Sequence, residues 1–140
     1  MFVAMLSIIM VGGSYCPLSP RDPRNRLQHL LQQNQSDCIL VDSTTENKFE
    51  ENNITLLNTR GMIGKQEIAD ENHLDQLSSI ESKSDTIAFV IFTSGSTGTS
   101  KAVQITHHNL WNCMFSFESL GIITKYENVI QMAQCIFDVM

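Results

Sequence analysis

An α/β fold built around a mainly parallel sheet flanked by helices is what this sequence predicts, and three observations carry that prediction. Short continuous apolar runs, "CILVD" at 38–42 and "DTIAFVIFT" at 85–93, have the length and composition of buried strands. Segments of helical periodicity lie around them, clearest where Leu27, Leu30 and Leu31 recur at i, i+3, i+4. Strands and helices alternate without an internal repeat, which is the pattern of α/β packing.

Taken in order, the chain opens with "MFVAMLSIIMVGG". This run has no basic amino-terminal region and is too short to span a bilayer, so it reads as a buried helix ending at Gly12-Gly13. The turn dipeptides of "SYCPLSPRDP" follow, with Asp22 expected as an N-cap and Pro23 as the first helical residue. Arg21, Arg24 and Arg26 crowd the start of that helix, against its dipole. "CILVD" and "NITLLN" (53–58) are the first two strands, and 60–85 reads as a polar loop with one short helix. "DTIAFVIFT" is the strongest strand. "VQIT" is the next, and Thr106 then caps a helix through "HHNLWNCMFSFESL". "NVIQMAQCIFD" reads as a last strand.

At 140 residues, 42% apolar and 17% charged, the composition is that of one globular domain. The net charge of −6 is confined to a polar acidic segment, 43–85 with Asp42 at its edge, which holds ten acidic and four basic side chains. No basic stripe exists, which argues against nucleic acid as a partner. Cys16, Cys38, Cys113 and Cys135 lack metal-ligand spacing and sit in apolar contexts, so reduced core thiols of a cytoplasmic protein are expected. The histidines form no metal motif, and no metal-ligating residue is assigned.

The chemistry points to "FTSGSTGTSKA", residues 92–102. Gly95 and Gly98 let successive backbone N–H groups converge on an anion. Thr93, Ser94, Ser96, Thr97 and Thr99 add hydroxyl donors, and Lys101 supplies a charge for phosphate oxygens. A flexible linker would not leave directly from a strong strand and feed another a few residues later. The P-loop pattern G-x-x-x-x-G-K-[ST] fails at two positions, where Ser100 and Ala102 stand, and Lys101 leads into a strand where a P-loop needs a helix.

"TSGSTGTSKA" closely resembles the phosphate-binding signature T-S-G-S-T-G-x-P-K-G of the adenylate-forming (AMP-binding) superfamily. The likeness extends to "MVGGSYCPLSPRDPRNRL", similar to K-A-G-G-A-Y-V-P-L-D-P-x-x-P-x-x-R-L, to "ITHHNL", and to Phe137-Asp138 where peptide-synthetase members have F-D-x-S. The wording of these matches is nearest to amino-acid adenylation domains of nonribosomal peptide synthetases. The resemblance implies a partial adenylation domain over 1–140, an incomplete part of the large N-terminal subdomain, truncated at both ends. It also implies an ATP-dependent ligase reaction with Mg-ATP, in which a carboxylate, here an amino acid, becomes an acyl adenylate and then passes to a carrier-protein phosphopantetheine thiol. On this likeness Thr93, Ser94, Gly95, Ser96, Thr97, Gly98 and Lys101 hold the β/γ-phosphates, and Asp138 pairs with the substrate α-amino group. Asp138 equally suits a carboxylate that caps a strand end. Ser100 replaces the family's Pro, Ala102 its Gly and Ser19 its Asp, so the far side of the loop is less rigid and more crowded than the pattern. The family's later Y-G-x-T-E segment and carboxy-terminal Lys are missing, so the chain alone is expected not to adenylate. The alternative is a non-catalytic remnant that binds nucleotide weakly or serves as an interaction module.

Overall fold

A computed structural model describes residues 2–49, 54–63, 71–81, 83–94 and 100–124. The chain falls into two compact units, Met1–Ser7 with Leu18–Ile80, and Ile8–Pro17 with Glu81–Met140. Helix α1, Phe2–Met10, contributes residues to both.

In the first unit, helix α2 runs Arg24–Asn34 and buries Leu27, Leu30 and Leu31, the stripe its periodicity predicts. Its N-cap is Pro23, one residue later than expected. The extended ψ of 147° at Pro23 delays the first helical residue to Arg24, and no side chain caps the end. The Asp22 carboxylate instead accepts from Arg26 Nε at 3.2 Å. Arg24 donates to Asn47 O at 2.7 Å and to Lys48 O at 3.3 Å, and Lys48 Nζ donates to Pro20 O. The arginine at the helix start thus ties α2 to the 3₁₀ turn Glu46–Lys48.

Strands β1 (Cys38–Val41) and β2 (Thr55–Asn58) pair in parallel, from Cys38↔Thr55 to Val41↔Asn58. Leu27, Leu31, Val41 and Phe49 form the core, with Leu18, Ile39, Ile54 and Leu56 packed against it. After β1, Asp42 Oδ1 accepts from the Thr44 hydroxyl and N–H and from Thr45 N–H. These bonds, those of Thr44 foremost, hold its carboxyl below the usual range. Two short helices, α3 (Thr59–Ile63) and α4 (Glu71–Ser78), stand where the polar composition predicts one.

In the second unit, α1 stops as expected at the glycines. Gly12 takes φ 78°, and Gly13 N–H donates to Ile8 O at 2.8 Å. A Cβ on Gly13 would lie 3.1 Å from Ile8 Cγ2 and 3.1 Å from Ile8 O, so the chain turns too tightly there for most side chains. The helix is not buried as predicted: Val3, Leu6 and Met10 are exposed, because among the described residues nothing packs on that stripe. Strand β3, Ile87–Thr93, pairs antiparallel with β4, Lys101–Thr106. Along its other edge Tyr15 makes a parallel bridge to Phe89. Helix α5, His107–Ser119, follows β4 directly through a capping box: Asn109 N donates to Thr106 Oγ1 at 3.2 Å, and Thr106 N donates to Asn109 Oδ1 at 3.1 Å. Thr106 is the cap the sequence predicts.

The thiols correct a second expectation. Cys16 is half-buried, but Cys38 and Cys113 are exposed, and Cys135 lies outside the described residues. Cys38 opens β1, whose burial rises toward Val41, and Cys113 lies on a helix with no buried residue. An apolar sequence context does not bury a side chain whose own face has no neighbour. The final strand predicted for "NVIQMAQCIFD" also lies outside the described residues.

Candidate functional site

The strand before the Gly/Ser run is strong for a local reason. "IAFVIF" is β-branched and aromatic almost throughout, and alternate residues Ala88 and Val90 are buried. Its partner β4 is held by a ladder that closes on Phe92↔Ala102 and Thr93↔Lys101. Thr93 and Lys101, the residues on either side of the Gly/Ser/Thr run in sequence, are therefore the last paired positions of the ladder.

The last rung sets two of the candidate side chains beside each other. Residues directly opposite on antiparallel strands project from the same face, so Thr93 and Lys101 share one face at the mouth of the loop. The Thr93 hydroxyl donates to Lys101 O at 3.4 Å, and the Lys101 side chain is exposed. Ser94, the next residue, is exposed as well. Thr93 and Lys101 thus stand opposite each other on the ladder, with Ser94 next to Thr93 in sequence. Gly95, Ser96, Thr97, Gly98 and Asp138 lie outside the described residues.

The electrostatic setting suits an anion. No Asp or Glu occurs between Asp85 and Glu118, a span that includes both strands, the loop and nearly all of α5. Hydroxyl donors and one ammonium group, free of nearby carboxylates in sequence, are the donor set a polyphosphate requires. Among the described residues no group of three or more His, Cys, Asp or Glu could hold a metal ion, and no helix is long and apolar enough to cross a membrane. The sequence reading missed the Ser14–Tyr15 segment along β3; only its position after the paired glycines could have signalled it.

A family model described as AMP-binding enzyme matches residues 1–139. Tyrocidine synthase 1 of Brevibacillus parabrevis is 28% identical over 140 residues, covering 97% of this chain and 12% of that protein. Among solved structures, the nonribosomal peptide synthetase FmoA3 superposes with a TM-score of 0.75 at 21% identity, over 97% of this chain and 14% of that one. The ATP-bound MatB of Rhodopseudomonas palustris gives a TM-score of 0.61 at 20% identity, over 84% of this chain and 24% of that one. The chain spans from 2% to 25% of the length of the curated relatives it matches. Its fold is that of part of the N-terminal subdomain of adenylate-forming enzymes. With the family model covering all but the last residue, the chain belongs to the AMP-binding enzyme family.

Proposed function

We propose that this chain carries the pyrophosphate side of an adenylation site, in a protein that activates an amino acid as its acyl adenylate. The observation that carries the reading is the last rung of the ladder: Thr93 and Lys101, which flank the Gly/Ser/Thr run in sequence, stand opposite each other with a hydroxyl and a cation on one face. Bound Mg-ATP supplies the α-phosphate that a carboxylate attacks and the pyrophosphate that leaves. Thr93 and Ser94 hydroxyls and the N–H groups of Gly95 to Gly98 would donate to the β/γ-phosphates, and Lys101 would offset the charge that builds on the leaving group. Mg²⁺ keeps much of its water and binds chiefly through substrate phosphates, so it needs few protein ligands here. Asp138 would hold the substrate α-amino group, and a carrier-protein phosphopantetheine thiol would accept the acyl group. ATP and the free thiols fit a reducing compartment, the cytoplasm.

The test is equilibrium titration of the purified chain with Mg-ATP, Mg-pyrophosphate and AMP. A loop that grips the β/γ end binds the first two with similar affinity and competitively, and binds AMP far more weakly. AMP binding as tightly as ATP, or no binding of any of the three, refutes the reading.

A further inference from the structure

The geometry points to Ser14 and Tyr15 as positioning residues for Thr93 and Lys101, acting through β3 without touching the nucleotide; the inference rests on the function proposed above. An isolated two-stranded hairpin is marginally stable in water, and a loop carried on one wanders with it. Here β3 is held on both edges. On the side away from β4, Tyr15 N–H donates to Ala88 O at 2.9 Å and Val90 N–H donates to Tyr15 O at 3.0 Å. Beside them, Ser14 Oγ donates to Ile87 O at 2.8 Å, across 73 residues of sequence. The Tyr15 and Phe89 rings meet edge to face, with centroids 5.8 Å apart and planes at 88°.

Side-chain alternation carries this contact toward the site. Phe89, Ile91 and Thr93 point to one face of β3, opposite the buried Val90, and Lys101 joins that face from β4. The Tyr15 ring therefore packs on the same side of the strand as the two side chains that open the loop, roughly 13 Å along at ~3.3 Å per residue. The strap also has a fixed path, since the turn at Gly12 and the close approach of Gly13 to Ile8 lead α1 straight into Ser14.

The experiment uses the full chain with Tyr15→Ala, Tyr15→Phe and Ser14→Ala, inorganic pyrophosphate with Mg²⁺ as probe, at a temperature where circular dichroism shows every variant folded. Tyr15→Ala should weaken pyrophosphate about threefold to thirtyfold, as for coupling through packed neighbours, and Tyr15→Phe should restore it. Ser14→Ala should have a smaller effect in the same direction. In ligand-free chain, hydrogen exchange of Tyr15→Ala should rise at residues 91–93 and 101–103 and stay unchanged in β1 and β2. Unchanged affinity with unchanged exchange at those residues overturns the inference, as does loosening spread evenly over both units, which marks a merely structural residue. If the parent chain binds no pyrophosphate, the function proposed above fails. The exchange comparison then still decides: loosening confined to the hairpin supports the strap, and its absence overturns it.

Discussion

Replacing Lys101 by Met keeps an unbranched stem of similar reach and removes only the charge. The backbone of Lys101 is what pairs with Thr93 and accepts its hydroxyl, so the hairpin should close as before. A hydrogen bond from an ammonium to a phosphate oxygen contributes about 1.5–3 kcal/mol. Lys101 is exposed, with water on one side of the ammonium, which places the effect near the lower end. The expected loss of pyrophosphate affinity is thus about tenfold. Salt supplies the second half of the assay. The screening length falls from ~10 Å at about 0.1 M to ~3 Å at about 1 M, so the parent chain should lose affinity across that range and the variant much less. Isothermal titration at the two salt concentrations, with melting curves as a control for folding, measures both quantities. Equal affinity of the two proteins at low salt would refute the electrostatic role of Lys101.

Leu27→Ala tests the other unit. Leu27 is 1% exposed and packs with Leu31, Val41 and Phe49, and the partly buried Leu18 and Ile39 beside it can relax into the space. Such truncations cost about 2–5 kcal/mol, and with that relaxation a loss near 3 kcal/mol is expected in urea unfolding followed by far-ultraviolet circular dichroism. A loss below about 1 kcal/mol would mean that this cluster is not the core. Burial pushes the Cys16 thiol from its ordinary 9.0 up to about 11. A raised folded-state value stabilises the fold fully below pH 9 and loses that contribution as pH rises from 9 toward 11, so alkaline destabilisation should appear in that window and vanish in Cys16→Ala. Near pH 8, iodoacetamide followed by peptide mapping should label exposed Cys38 and Cys113 before Cys16. Labelling of Cys16 at the same rate as the others would contradict its burial.

The strands, and the helices α1, α2 and α5, were legible because each is encoded within a few residues. Leu27, Leu30 and Leu31 announce a helix face, "IAFVIF" announces a strand, and Thr106 before an apolar helix announces a cap. What escaped the reading depends on residues distant in sequence or on competition between neighbours. Asp22 lost the cap because Arg26 offered its carboxylate a better partner and Pro23 kept an extended backbone. The exposure of Cys38 and Cys113 depends on which faces find neighbours, which composition does not record. The hydrogen bond from Ser14 to Ile87 spans 73 residues, and no local pattern beyond the paired glycines before it hints at it. At the candidate site, Thr93, Ser94 and Lys101 were legible as residue types, whereas the common face of Thr93 and Lys101 follows from the ladder register alone.

That register bears on why the strongest strand former in the chain stands directly before a run of Gly, Ser and Thr. A phosphate loop needs Gly for backbone N–H groups to converge and small hydroxyl residues for extra donors, and both choices raise the conformational entropy the folded loop must give up. Nothing in "SGSTGTS" can supply that free energy from within, since it holds no apolar side chain to bury. The stem must supply it. Ala88 and Val90 bury one face of β3, Phe89 meets Tyr15 on the other, and six paired positions carry the ladder from Ile87↔Thr106 to Thr93↔Lys101. The capping box at Thr106 then anchors the far end of β4 to α5, so the returning strand is fixed at both ends. If the loop binds phosphate as proposed, the apolar run before it serves that binding as much as the lysine after it, because a donor set without a rigid stem would spend its binding free energy on ordering itself.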